Sequence, residues 1–177
     1  MTVIRNIKKD DISGALVTID FAHHEAHEGH SFYYNDVIAL GNGATQDYIL
    51  QVPDVQAWPH FGFSVNFNDG AGIIELYEST DRIGTTPQTV INRERNGGDG
   101  NNMLVYKDQS GGSTDGTRIL WQRGGSGKTA GAVLGSSEEI ILKQNTWYLL
   151  RVTNATNSTN NTTVIVEWYE HVSEENE

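Results

Sequence analysis

The sequence predicts an all-β fold, an antiparallel jelly-roll-like β-sandwich with glycine-rich loops, and three observations carry that prediction. Short runs of apolar residues alternate with polar ones at period two, as strands with one buried face do. No window of ten or more residues keeps an apolar stripe at helical spacing. Most of the nineteen glycines fall in turn-rich stretches between these runs, the spacing typical of a sandwich or barrel. No internal repeat suggests a propeller or solenoid.

Taken in order, residues 1–13 carry Arg5, Lys8 and Lys9 followed by Asp10 and Asp11, with apolar residues that fit neither period, and read as an N-terminal arm. A single β-sandwich domain is expected over 14–172. From Gly14, the residues Ala15, Val17, Ile19 and Phe21 alternate as in a half-buried strand. A polar segment with four of the six histidines follows, between Ile19 and Tyr34. Phe32 to Leu40, closed by Gly41-Asn42-Gly43, and Gln46 to Val52, closed by Pro53-Asp54, read as strands. In His60 to Phe67 every second residue is large and apolar, Asn68-Asp69-Gly70 tolerates positive φ, and Ile73 to Glu78 returns, so 60–78 reads as a β-hairpin.

Gln88 to Arg93 forms a further pattern that fades into a loop over 96–102. Glycine-rich loops at 110–116 and 124–131 flank the run Thr117 to Gln122. Trp147 to Val152 and Thr163 to Tyr169 are β-branched and aromatic runs, read as two strands joined by a long hairpin loop over 154–161. The expected core is Phe61, Phe63, Val65, Tyr148, Leu150, Val152, Val164, Val166 and Trp168. Residues 173–177 form a charged tail.

A chain of 177 residues suits one domain that buries roughly 70% of its unfolded surface. With no cysteine, neither disulfides nor thiolate metal ligands contribute. The first nine residues hold no signal-peptide core, and no later run approaches a membrane span, so a soluble protein made in the cytoplasm is expected. The acceptor-like sites at Asn154, Asn157, Asn160 and Asn161 then read as a polar turn. A formal charge of −11 argues against nucleic-acid binding and for a solvated acidic surface.

Among candidate chemistry, His23 and His27 are four apart and His27 and His30 three apart. A helical turn would converge them, and a strand would scatter them. The pattern is one residue short of His-Glu-x-x-His, and we read the segment as structural, with Glu25 and Glu28 as local acceptors and neither metal nor cofactor. Gly124 to Thr129 departs from a phosphate loop because Gln122 stands where glycine is needed and no helix follows. Ser126 lacks the second glycine of a nucleophile elbow. Glu167 with Glu170, or Glu138 with Glu139, could form an acid/base pair, although nothing in the sequence places either pair in one cleft. Trp58, Trp121, Trp147 and Trp168 could stack on sugars, as in carbohydrate-binding sandwiches; Trp147 and Trp168, in clearly alternating strands, read as packing.

The chain also resembles the capsid decoration, or head cement, proteins of tailed bacteriophages. The resemblance lies in Ile19-Asp20-Phe21-Ala22-His23-His24-Glu25-Ala26-His27-Glu28-Gly29, Phe32-Tyr33-Tyr34, Trp58-Pro59-His60-Phe61 and Glu75-Leu76-Tyr77-Glu78. It continues through Asn92-Arg93-Glu94-Arg95-Asn96, Ile141 to Asn154 and Glu167-Trp168-Tyr169-Glu170-His171, and so covers most of the chain from about Gly14 to His171. It implies a non-enzymatic virion protein on the outer capsid surface, bound to the major capsid protein. It further implies a homo-oligomer with a trimer favoured, without nucleic acid or membrane partners. It transfers no catalytic residues. Arg5, Lys8 and Lys9 lie outside the matching pattern and are the candidate capsid-docking arm. The competing expectation is a carbohydrate-binding β-sandwich of a phage fibre or similar surface protein, and a third is a metal-dependent enzyme built on the histidine cluster.

Overall fold

Alternation decides which wall of the fold a strand presents inward, and pairing decides which sheet it joins. The computed structural model describes residues 21–125, 130–134 and 139–172. The arm with Arg5, Lys8 and Lys9, the alternating run as far as Asp20 and the tail at 173–177 lie outside them.

A short helix, α1 (Phe21–His27), is followed by β1 (Ser31–Leu40), β2 (Thr45–Val52), β3 (Ala57–Phe67), β4 (Gly72–Glu78), β5 (Ile83–Pro87) and β6 (Ile91–Asn92). Then come β7 (Leu104–Ser110), β8 (Thr117–Gly124), β9 (Ala130–Leu134), β10 (Ile140–Ile141), β11 (Thr146–Asn154) and β12 (Asn160–Val172). One sheet runs β10-β3-β12-β1-β6, with β9 also pairing β3, and the other runs β5-β7-β2-β11-β4-β8. All pairings are antiparallel, and the two sheets make a β-sandwich, the fold class expected. Each of the nine residues assigned to the core by alternation is at most 2% exposed.

Three sequence expectations need correction. Residues 60–78 are not a hairpin: β3 pairs β12 in one sheet, whereas β4 pairs β11 and β8 in the other. Trp147 to Tyr169 is likewise an arch between sheets, not a hairpin. The two arches are tied together, with Ala155 N–H donating to the Ala71 carbonyl at 3.0 Å and Asn68 N–H to the Asn161 carbonyl at 2.9 Å. At the first arch a Cβ on Gly72 would sit 2.0 Å from Phe67 Cε1, so only glycine lets β4 start against that ring. Thirdly, Phe21 opens α1 instead of ending a strand, and the Gln88 to Arg93 pattern contributes only Ile91–Asn92.

The outer face of the second sheet is partly roofed. Ile49 and Leu149 sit opposite one another and point away from the core, yet both are fully buried. The connections 79–82 and 111–116, which carry the chain between distant strands of this sheet, run against each other. Asp81 accepts from Ser113 N–H and Thr114 N–H, both at 2.9 Å, and Arg82 Nε donates to Asp115 at 3.0 Å. Arg151, on β11, ties the pair to the sheet through Asp115 and Asp47.

Asp36 occupies a position on the inward face of β1, between Tyr34 and Ile38. It accepts from Tyr48 O–H at 2.9 Å and pairs with Lys107 Nζ at 2.8 Å, linking the two sheets. Burial alone would push its carboxyl up, but hydrogen bonds from Lys107 and Tyr48 and the charge of Lys107 outweigh it and hold the group below the usual carboxylate range. Burial, with Asp36 nearby, pushes the Tyr48 and Tyr34 phenols up, so both stay protonated donors. Because its folded pKa is depressed, Asp36 contributes stability above its unfolded value, roughly pH 4, and that contribution is lost as pH falls through the folded value. Asp36→Asn is expected to cost about 2 kcal/mol at neutral pH, with a smaller difference from wild type near pH 3. Urea midpoints at the two pH values check this.

Candidate functional site

The site lies on the outer face of the first sheet, where α1 packs beside β12 and β1. Ala22, Glu25, Ala26 and the histidines allow nearly two turns of helix, which gives way at Gly29 with φ +83°. The His30 N–H donates to the Glu25 carbonyl at 2.9 Å, closing that end. Glycine is required, because a Cβ there would meet Gly98 Cα at 2.7 Å as well as strain the backbone.

The helix converges two of the three histidines considered as ligands: His23 Nε2 and His27 Nε2 are 3.0 Å apart, with ring centroids at 4.7 Å. His30 turns the other way, with Nδ1 3.0 Å from the buried Glu25 and Nε2 3.5 Å from Asp99. His24 faces Glu25 and Glu28. Among the described residues, no group of three or more His, Cys, Asp or Glu side chains is arranged to hold a metal ion.

Beside the helix, alternation in β3 and β12 sends Phe61, Phe63, Val166 and Trp168 inward and leaves His60, Gly62, Glu167 and Tyr169 on the outer face. His60 and Tyr169 are register partners, with rings stacked at 4.4 Å and 15°. The short pairing of β10 with β3 brings Glu139 alongside, where its Oε1 accepts from His60 Nδ1 at 2.8 Å and from Tyr169 O–H at 2.9 Å. Arg93, just after β6, donates to Glu167 Oε2 at 2.5 Å and lies 5.3 Å from the Tyr33 ring centroid. Between these groups and Ala22, His23 and Ala26 of α1 is a groove of about 360 Å³.

The other sequence candidates are dispersed. Glu170 does not share a cleft with Glu167. It is 5% exposed and accepts from Asn102 N–H, Met103 N–H and Trp168 Nε1, which pins the segment leading into β7. Glu139 lies in the groove, whereas Glu138 and 126–129, including Ser126 and Lys128, are outside the described residues. Trp168 is core, and Trp147 stacks on Tyr106 at 6.4 Å and 10°. Trp58 and Trp121 are 45% and 53% exposed, on different sheets. Asn154 and Asn160 are fully buried; Asn154 Nδ2 donates to the carbonyls of Leu40, Gly41 and Ser158, so it braces an arch.

Sequence reasoning missed the group His60, Arg93, Glu139 and Tyr169, which no local motif joins. The available signal was a histidine and a tyrosine at the outward positions of two otherwise regular strands. No helix among the described residues is long and apolar enough to cross a membrane. No protein-family model matches the chain, and no curated protein matches its sequence.

Proposed function

We propose that this chain is a non-enzymatic structural protein of a tailed-phage virion, made in the host cytoplasm, that binds the outer surface of the capsid and stabilises the shell. Its partner is the major capsid protein, and its assembly is a homo-oligomer with a trimer favoured. The resemblance in sequence supports this reading, and the antiparallel β-sandwich is compatible with it.

The structural observation that carries it is the free edge of the second sheet. β8 is the last strand of its sheet, and no strand pairs its far side among the described residues. It exposes Ile119 and Trp121 at 40% and 53%, beside Arg118 and Arg123, on a chain of net charge −11. An eight-residue edge with exposed large apolar side chains invites pairing with another chain, and tryptophan and arginine are typical interface anchors. Arg123 suits an acidic patch on the shell, as do Arg5, Lys8 and Lys9 of the arm, whereas Arg118 is paired with Glu75 at 2.8 Å. A sandwich that straddles capsid subunits must be released before they separate, so its binding free energy adds to shell stability. Repeated equivalent sites add avidity.

Undecorated heads mixed with the purified protein should bind it saturably at a fixed ratio to capsid subunits, counted by gel densitometry, and gain resistance to heat. Trp121→Asp should lower occupancy at least tenfold, about 1.4 kcal/mol. Removal of residues 1–13 tests the arm in the same assay. Heads that take up no protein would overturn the proposal.

A further inference from the structure

We infer that the groove between α1 and the outer face of β3 and β12 is a binding site for a neutral saccharide, independent of any docking through β8. Among the described residues, Glu139, His60, Arg93 and Glu167 are each held through one polar atom and carry another beside it. Glu139 takes both of its hydrogen bonds on Oε1, so Oε2 is used by neither; His60 is held through Nδ1, which leaves Nε2. Arg93 meets Glu167 through Nη2 and Oε2, and that bond leaves Nη1 and Oε1. Fixed side chains that present donors and acceptors next to each other match vicinal hydroxyls, each of which donates to one group and accepts from the next.

Charge points to the same ligand class. Within the groove Arg93 is paired with Glu167, so among the described residues lining it no cationic side chain is left over for a free anion. The chain's net charge of −11 further disfavours an anion. Small residues make the space: Gly62 leaves the sheet surface bare opposite Glu167, and Ala22 and Ala26 keep the helix wall low. The volume of about 360 Å³ lies within the usual range for small-molecule sites.

An aromatic ledge adjoins it. His171 meets the stacked His60 edge-on at 6.0 Å, and Trp58, 45% exposed, is the register partner of His171 on the same face. Rings of this kind, apolar on the face and polar at the rim, give a pyranose a stacking surface.

The test uses the full chain, isotope-labelled for NMR. D-glucose, D-galactose and N-acetyl-D-glucosamine are titrated as free sugars, and an array carries their α- and β-linked oligomers. The expected result is a set of shift changes centred on His60, Gly62, Arg93, Glu139 and the Trp58 indole, with array binding to at least one of these sugars. Glu139→Gln should weaken the affinity about tenfold, the loss of one charge-assisted hydrogen bond. Trp58→Ala, at an exposed position where folding is not at stake, should do the same, and Trp121→Ala on the other sheet should leave it unchanged. Shift changes that cluster at β8, Trp58→Ala and Glu139→Gln variants that bind as wild type, or no response to any of these sugars in either format would overturn the assignment.

Discussion

Phe63→Ala is expected to cost about 3–5 kcal/mol of folding stability. Phe63 sits in the middle of β3, fully buried, opposite Val166 of β12 and in tilted contact with Phe61 at 6.2 Å. Truncation removes the transfer free energy of a phenyl ring. It also leaves a void that cannot close readily, because both flanking strands are fixed by continuous pairing. Phe63→Leu keeps most of the volume and should cost less than half as much. Urea denaturation checks both: the midpoint should fall in proportion, with the slope unchanged, because the surface exposed on unfolding stays nearly the same. A loss below about 1 kcal/mol would mean that the ring does not fill the core as its burial implies.

The inward residues of β3, β11 and β12 were legible because period-two alternation names a face directly. The same alternation cannot say whether two consecutive strands lie side by side or opposite each other. Phe67 and Ile74 point into one core under either arrangement. What separates an arch from a hairpin here is long-range: Asp69 accepts from Asn161 N–H at 2.9 Å, and β4 finds its partners far downstream, in β8 and β11. β5 and β7 went unread because Ile83–Pro87 and Leu104–Ser110 hold few large apolar residues and gain their pairing from each other and, for β7, from β2. Asp108, at φ +64°, marks the place where β7 leaves β2 and continues on β5 alone.

The candidate site was legible in part. The spacing of His23 and His27 carried its own geometry once a helix formed, since residues four apart share a helical face. The groove's other members come from β3, the segment after β6, the approach to β10, and β12, so only the tertiary fold assembles them. The same holds for Glu170, which on an acidic chain reads as one more solvated carboxylate and is in fact a buried acceptor for two backbone amides.

Arg151→Met is expected to cost about 3 kcal/mol, the lower part of the range for breaking a buried ion pair, because Arg151 keeps a fifth of its side chain in solvent. The guanidinium donates through Nε and Nη2 to the two oxygens of Asp47, at 2.8 and 3.0 Å, and through Nη1 to Asp115 at 2.6 Å. It also lies 5.7 Å from the centroid of the Tyr77 ring. Methionine would leave Asp47 and Asp115 without their shared cation and remove this tie of the 111–116 connection to β11, leaving it held by Asp81 and Arg82 of the 79–82 connection. Lysine restores the charge but cannot span both carboxylates as a planar fork does, so Arg151→Lys should recover only part of the loss. The pH dependence identifies the cause. The hydrogen bond from Arg151 holds the Asp115 carboxyl below the usual range against some burial, so the wild type gains stability above the unfolded carboxylate value and loses it as pH falls through the folded one. In Arg151→Met only the smaller contribution of Arg82 to that gain remains, and protonation relieves the repulsion between two carboxylates, so the difference from wild type should shrink between pH 7 and pH 3. Urea midpoints at both pH values measure it, and protease cleavage within 111–116 reports the loosened connection. A difference that stays constant with pH would show that packing of the side chain, not its charge, holds the roof on this face.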